Sequence, residues 1–501
     1  MKISIARRTQ ARLAVFEWLR GFNKYATNRL TMQFAGRHIY AVIHHQGRMS
    51  GKDYLTPVVA IPSGDGFIIP LPYGQHVDWC RNLLAAGECQ MEWHGRVYTL
   101  RSPQLIEPEG ALPSFPSWLH GLLRHTEVYL KAERASGPEL PSGHKIRKIL
   151  VYGAGVLGSV YAGKLHQAGY EVTLLARGKR WVELQEQGLV LVKDGATKLE
   201  QMPVRVIDQL APDDAYDLVL VIVRKNQIAS VLPTLAMNRC TPNVMFFVNN
   251  AEGPGALIEA IGRERVMLGF PGAGGQRVDG VIHYRLTPRI IQPTTIGELD
   301  GSKSERLAQI GQALSDAGVP VAISENMDAW LKTHIALVSP IANAIYLAGG
   351  SNYRLAHTRD GLVLMIRAVK EGLQVLHALH VPATPAKYAA LAWLPEPLLV
   401  AILQKGMDTA QAELVLARHA NAARDEMLTL AEEFRALARQ SGIKTPAIDT
   451  LFCYLDPAYP LVPEGKLTIP LDWRSIILLA GGLLSAGMLT AWLFRKRVSG
   501  K

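Results

Sequence analysis

The sequence predicts a multidomain protein of mixed α+β and α/β class, on three observations. Short apolar runs separated by glycine-containing turns fill residues 38–101. At residue 148 a strand, a glycine turn and a helix open a regular alternation of apolar runs with helical stretches. From residue 320 onward the periodicity is helical. A chain of 501 residues is too long for one core and fits about three domains. Apolar residues make up 48% and charged residues 19%, which places the chain among globular proteins and excludes a disordered one.

The elements follow in order. Residues 1–30 read as a basic, partly amphipathic helix with Leu13, Phe16, Trp18 and Leu19 near one side. Strands are expected at 38–45, 56–61 and 66–71, then a helix at 77–86 stopped by Gly87. Two further strands, 89–93 and 96–101, flank the turn His94-Gly95, and together these runs suggest a small barrel. SGPELPSGH at 136–144 is rich in Pro, Gly and Ser and marks a linker. Buried parallel strands follow at 149–152, 172–176, 217–223, 244–248 and 266–270. Helices are expected at 328–347, 361–379, 397–404 and 410–440, the last ended by Gly442. The implied division is 1–135, a linker at 136–145, 146–320, 321–460 and a hydrophobic helix at 474–495.

Charge and cysteine usage narrow the setting. The net charge of +11 is concentrated at the ends. Residues 1–30 carry seven basic residues against Glu17, and the last seven residues add Arg495, Lys496, Arg497 and Lys501. That pattern suits anionic lipid headgroups and argues against nucleic acid as a partner of the folded body. Cys80, Cys89, Cys240 and Cys453 form no C-x-x-C and no metal-ligand spacing, so they read as reduced thiols of a cytoplasmic protein with no metal site. Residues 475–494, SIILLAGGLLSAGMLTAWLF, hold no charge over 20 residues, enough to cross a bilayer core. Small residues four apart, Gly482 with Ala486 and Gly487 with Ala491, suit close helix contact. The expected localisation is therefore cytoplasmic domains held at a membrane, with a homodimer compatible with these features. A buried helix remains the alternative.

The stretch 148–179 carries the most specific chemistry. Gly153-x-Gly155-x-x-Gly158 sits between an apolar strand and a helix within a unit of about 30 residues. Gly153 permits the tight turn, Gly155 lets backbone approach a pyrophosphate, and Gly158 lets helix pack on strand. The N–H groups of Val156 and Leu157 at the helix start then face the phosphates. Where an NAD site carries a carboxylate, this chain has Arg177, with Lys179 and Arg180 close behind, so NADPH is the expected cofactor of a Rossmann-type domain.

Three blocks in the first part, at 41–58, 73–91 and 94–106, resemble the deazaflavin-dependent nitroreductase family. The resemblance implies a split β-barrel and a flavin, either FMN or a deazaflavin of the coenzyme F-420 type. It would place Arg48, Ser50, Gly51 and Lys52 on the cofactor's phosphate and tail. Tyr73, Trp79, Arg81 and Asn82 would lie beside the ring system or its tail. Met49 departs from the family's usual Lys or Arg and lowers the positive charge there.

Residues 148–459 resemble the ketopantoate reductase family, in which an NADPH-binding domain precedes a helical one and a small substrate lies between them. The match includes Gly153, Gly155 and Gly158, the segment Val223-Arg224-Lys225-Asn226-Gln227, and Asn249-Asn250-Ala251. It continues with Trp330-Leu331-Lys332, and with Glu426 before the block Gly442 to Pro446. The resemblance implies Lys332 as the catalytic cation, Glu426 as its carboxylate partner, Asn250 beside nicotinamide and substrate, and Arg224 at the cofactor. Hydride delivery to a carbonyl develops charge on its oxygen, which a cation such as Lys332 stabilises and can protonate. The two asparagines that follow the lysine in the family are missing from 334–340, HIALVSP, so the substrate is expected to differ from ketopantoate.

These readings leave three functions open. One is an NADPH-dependent oxidoreductase with two active modules, reducing a carbonyl or a quinone- or nitro-type acceptor. Another is a keto-acid reductase whose barrel is a binding or dimerisation module. The last is a non-catalytic NADPH-binding redox sensor.

Overall fold

The computed structural model describes residues 39–63, 66–93, 96–135, 145–474 and 476. The expected basic helix at 1–30, the linker body at 136–144, the turn His94-Gly95 and nearly all of the stretch 474–495 lie outside them. The chain forms two compact units. The first comprises Met1–Lys148, Ala211–Leu218 and Met237–Asn243; the second comprises Ile149–Leu210, Val219–Ala236 and Val244–Lys501.

The first unit is built on seven antiparallel strands: β1 (Tyr40–Gln46), β2 (Asp53–Val59), β3 (Ile61–Ser63), β4 (Gly66–Pro70), β5 (Glu88–Trp93), β6 (Arg96–Ile106) and β7 (Tyr129–Arg134). Their order, β2-β1-β5-β6-β7-β4-β3, makes an antiparallel half-barrel. Alternation drives it: Cys89, Met91 and Trp93 of β5 turn inward with Tyr98 and Leu100 of β6, onto Phe67 and Ile69. The helix Asp78–Ala86 ends at Gly87, whose φ of 75° is the left-handed conformation that glycine adopts at least cost. Two differences from the sequence reading stand out. The single strand expected at 56–61 is divided between β2 and β3, and β7 was not anticipated. The division follows from a change of partner, β2 pairing with β1 and β3 with β4, and β7 takes β4, well before it in the chain, as one of its partners, which local alternation does not reveal.

Two later segments belong to this unit, and a buried ion pair ties in one of them. Arg96 meets Asp217 at 3.0 Å with both side chains 4% exposed. The Arg96 Nε also donates to the Cys240 carbonyl at 2.8 Å, and Asp217 accepts the backbone N–H groups of Arg147 and Lys148. Such satisfaction on both sides is what makes burying the two charges tolerable.

The second unit holds a sheet of β8 (Lys148–Tyr152), β9 (Glu171–Leu175), β12 (Arg205–Ile207), β13 (Leu218–Val221), β14 (Val244–Phe247), β15 (Val266–Phe270), β18 (Thr294–Gly297) and β19 (Val321–Ile323). The order is β12-β9-β8-β13-β14-β15-β18-β19. Parallel pairing joins β12 to β9, β13 to β14, β14 to β15 and β18 to β19, while β18 runs antiparallel to β15. A second sheet, missed from sequence, joins β10 (Leu189–Lys193), β11 (Glu200–Met202), β16 (Ala273–Val278) and β17 (Val281–Leu286).

The helical half packs Met327–Leu347, Arg359–Ala378, Glu396–Met407, Arg424–Ser441 and Pro446–Phe452 around one apolar core. The helix expected over 410–440 is broken. Ala410–Ala412, a π turn at Glu413–Ala417 and Arg418–Ala422 precede a non-helical Ala423 (φ −131°, ψ 36°), and Arg424–Ser441 then starts afresh. Arg424 lies 3.9 Å over the Tyr346 ring and donates to the carbonyls of Tyr454 and Leu455, contacts that no local helical signal could foretell. The break sets Asp425 and Glu426 in the first turn of a helix, where the macrodipole favours carboxylates.

Among the described residues no single helix is long and apolar enough to cross a membrane. The bent pair Ala386–Ala392 and Glu396–Met407, at 119°, has a suitable composition.

Candidate active site

The glycine turn of the second unit is shaped by close approach. A Cβ on Gly158 would lie 1.8 Å from the Gly153 carbonyl oxygen, and one on Gly153 would lie 2.3 Å from that of Ile222, at a φ of 117°. A Cβ on Gly155 meets nothing within 4 Å. Two glycines are thus required by packing, and the third keeps a side open at the start of the helix Val156–Gln167, beside the N–H groups of Val156 and Leu157. Arg177 is exposed beyond β9 with its guanidinium 5.9 Å from the Tyr152 ring centroid. Arg180 reaches back over the turn, donating to the Ala154 carbonyl and the Ser159 hydroxyl at 3.4 Å, and pairs with Glu183 at 3.0 Å.

A buried polar cluster lies at the loop after β14. Lys225 Nζ is 3.1 Å from each of Asn250 Oδ1, Glu252 Oε2 and Glu433 Oε1. The Lys225 side chain is 13% exposed and that of Glu433 6%. Glu433 accepts the Ala251 N–H with its other oxygen at 3.0 Å. Burial raises the Glu433 carboxyl above its ordinary range, while Lys225 and the Ala251 N–H pull it back toward the charged form. Because Lys225 occupies the Asn250 oxygen, the amide nitrogen is directed to the Gly253 carbonyl at 2.7 Å.

Lys332 stands on the helix Met327–Leu347, whose start is capped by Asn326 accepting the Ala329 N–H. Its Nζ pairs with Asp328 Oδ2 at 2.5 Å, one turn earlier. A Cβ on Gly253 would lie 3.7 Å from Lys332 Nζ and 3.3 Å from Asp328 Oδ1, so the loop bearing Asn250 and the helix bearing Lys332 converge on that glycine. The buried oxygens Asp328 Oδ1 and Asn249 Oδ1 have no hydrogen-bond partner among the described residues. Glu426 is buried and accepts from Asn249 Nδ2 at 3.2 Å and from the Lys225 N–H at 3.3 Å. The expected group Lys332, Asn250 and Glu426 therefore belongs to one neighbourhood, with Glu426 bonded to Asn249 and Lys225.

Arg224, expected at the cofactor, is tied to the start of the helix Arg424–Ser441. It pairs with Asp425 at 2.9 Å, donates to the Ala422 carbonyl at 2.8 Å, and shares Asp425 with Asn226. Sequence reasoning missed Lys225 and Glu433. Glu433 lies seven residues after Glu426 and so on the same helix face, which is the signal that could have found it. One and two turns beyond Lys332, Ala336 and Pro340 stand where asparagines were expected, and half-buried His334 stacks on Trp330 at 5.3 Å and packs on Phe270 at 4.2 Å. Burial, with the neighbouring His419 adding to it, pushes His334 down to about 3. His334 is therefore neutral at neutral pH.

In the first unit the turn candidates are committed to one another. Arg48 donates to Asn82 Oδ1 at 2.8 Å and to Asp78 Oδ1 at 3.3 Å. Asn82 is buried and donates to His45 Nδ1 at 3.1 Å, and the other ring nitrogen of His45 lies 3.0 Å from Thr56 Oγ1. Ser50 bonds Tyr54, Gly51 holds a φ of 63°, and Lys52 is exposed. Tyr73 is half exposed, Trp79 packs on the core, and Arg81 lies 3.1 Å from His76 Nδ1. No group of His, Cys, Asp and Glu suited to a metal occurs among the described residues.

Residues 149–301 match the model of the ketopantoate reductase PanE/ApbA family. The 2-dehydropantoate 2-reductase of Archaeoglobus fulgidus is 27% identical over 237 residues, covering 46% of this chain and 74% of that one. This chain carries a ketopantoate-reductase-like oxidoreductase region. Solved structures repeat its fold. The 2-dehydropantoate 2-reductase from Geobacter metallireducens GS-15 has a TM-score of 0.51 at 17% identity, covering 62% of this chain and 99% of that one. D-mandelate dehydrogenase with NADH and anilino(oxo)acetate has a TM-score of 0.50 at 18% identity, covering 62% of this chain and 96% of that one. The ketopantoate-reductase-like region thus holds the glycine turn, Lys225 and Asn250 within its matched residues, while Lys332, Glu426 and Glu433 follow it in the helical half.

Proposed function

We propose that the second unit is an NADPH-dependent reductase of a small carbonyl compound. The observation that carries this reading is the convergence of Lys332, Asp328 and the Asn250 loop on Gly253, next to the buried Lys225–Glu433 pair. The dinucleotide, when bound, supplies the hydride. Gly155 and the N–H groups of Val156 and Leu157 would receive its pyrophosphate, and the open side of Gly155 fits that role. Arg177 would meet a 2′-phosphate, so NADPH is preferred to NADH.

The chain's own groups then divide the work. Lys332 holds a cation where the carbonyl oxygen gains charge and returns a proton to it; Asp328 keeps the ammonium aimed across one helical turn. Lys225 fixes the Asn250 amide, and Glu433 fixes Lys225. Asn249 Oδ1 and Asp328 Oδ1 offer acceptors to N–H or O–H groups of the ligands. Ala336 and Pro340 in place of asparagines favour a keto acid other than ketopantoate. NADPH oxidation across a panel of 2-keto acids tests this. Activity on at least one member is expected, and Lys332→Ala should lower kcat about 10²–10³-fold with cofactor binding kept. NADPH binding without turnover of any carbonyl would leave the sensor reading instead.

For the half-barrel we favour a binding or dimerisation module over a flavin or deazaflavin centre. Arg48 could serve an anionic tail only by releasing Asp78 and Asn82, and Met49 beside it is 91% exposed and uncharged. For the C-terminal stretch at 474–495 we keep the membrane reading, supported by its 20 uncharged residues and the basic cluster after them.

A further inference from the structure

The last described residues are clamped to one place in the helical half. Asp360 accepts the N–H groups of Thr468 and Ile469, both at 2.9 Å, and the Thr468 hydroxyl at 2.7 Å. Arg367 donates to the Pro470 carbonyl at 2.7 Å and holds Glu396 through both carboxylate oxygens. Glu396 in turn accepts the Asp472 N–H at 3.0 Å. The last described residues therefore meet Glu396, the first residue of the helix Glu396–Met407. Exposed apolar side chains occur in the segments that meet there. Trp393, three residues before Glu396, is 82% exposed; Leu398 and Ile402, one turn apart on the helix, are 46% and 54% exposed; Trp473 is 52% exposed. Arg474 follows at once with its side chain 90% exposed.

We propose that Trp393, Leu398, Ile402 and Trp473, exposed in these adjoining segments, rest together in the interfacial layer of an anionic lipid bilayer. The inference depends on the membrane reading of the C-terminal stretch and adds a second, folded contact to it. Tryptophans gather at the membrane–water boundary because the ring is apolar and its N–H wants a polar partner. Here two of them lie in the segments that meet just before the 20 uncharged residues. The length of that stretch decides between occupants. As a helix it would be about 30 Å long, the depth of a bilayer core. These segments offer only two or three helical turns, so they could not cover the stretch, and a second copy seated on them would leave the stretch in water. Arg474, Lys387 and Lys405 in or beside these segments suit anionic headgroups.

The test uses the full chain with Ile402→Cys carrying an environment-sensitive fluorophore and Cys453→Ser removing the partly exposed thiol; Cys80, Cys89 and Cys240 are buried. Vesicles of phosphatidylglycerol and phosphatidylcholine should sediment the protein and shift the emission to shorter wavelength. Trp393→Ser with Leu398→Ser in the unlabelled chain should weaken vesicle binding about tenfold. An unmoved label on sedimented protein overturns the proposal and leaves the C-terminal stretch as the sole anchor. A shift without vesicles overturns it in favour of the chain's own stretch or a second copy as occupant. Failure to sediment overturns both readings.

Discussion

Two polar clusters, one in each unit, contain the same kinds of side chain and differ in burial. Around Arg48 the partners are the exposed Asp78, the amide of Asn82 and the ring of His45, on which burial acts to lower the pKa. Around Lys225 the partners are Glu433, Glu252, Asn250 and the backbone of Ala251, with the central pair nearly out of solvent. A surface pair such as Arg48–Asp78 is worth under about 1 kcal/mol and needs no function to explain it. A buried pair carries a desolvation cost of several kcal/mol for each ion, by general estimates, so it persists where geometry rewards it. The second cluster also adjoins Lys332 and two buried oxygens without partners among the described residues, which the first does not match.

The sharpest way to break this contrast is at the glycine turn. Gly155→Val should abolish NADPH binding measured by calorimetry with little loss of thermal stability, because a Cβ there meets no protein atom within 4 Å. Gly158→Ala, by contrast, should destabilise the fold outright, since its Cβ would sit on the Gly153 carbonyl. Next in size, Lys225→Met strands Glu433 without its counter-ion and should cost about 3 kcal/mol in denaturant unfolding; adding Glu433→Gln should recover part of that loss. A full loss in the double variant would show that the pair acts through packing alone. Arg177→Ala should reduce an expected tenfold preference for NADPH over NADH, about 1.4 kcal/mol, to near parity in competition binding. Smallest of all, Arg48→Ala should change stability by about 1 kcal/mol or less; a much larger loss would put the first cluster on a par with the second.

The sequence showed some parts of the site better than others. Gly153, Gly155 and Gly158 were legible because their roles are local to one turn, and Lys332 because a resemblance placed it two residues after Trp330. Lys225 was hidden behind Arg224, its neighbour in the same motif. Which of the two turns inward depends on Asp425 and Glu433, about 200 residues away in the chain. Remote pairing also hid β7, which joins β4, and the sheet of β10, β11, β16 and β17, in which the pairing of β10 with β17 joins two antiparallel strand pairs.

By itself, the sequence determined the class of the protein, the alternation of β8, β9, β13, β14 and β15 with helices, the ends of helices at Gly87 and Gly442, and the glycine turn at 153–158. Each of these rests on hydrophobic period or on the backbone freedom of one residue, and both act over a few positions. Only the tertiary structure decided that Arg224 faces Asp425, that the helix over 410–440 breaks at Ala423, and that Asp217 folds with Arg96. In every such case the deciding term is a charged or hydrogen-bonded partner remote in the chain. Its energy exists only once the fold has brought the two groups together, and for Arg96 and Asp217 burial also lowers the local dielectric.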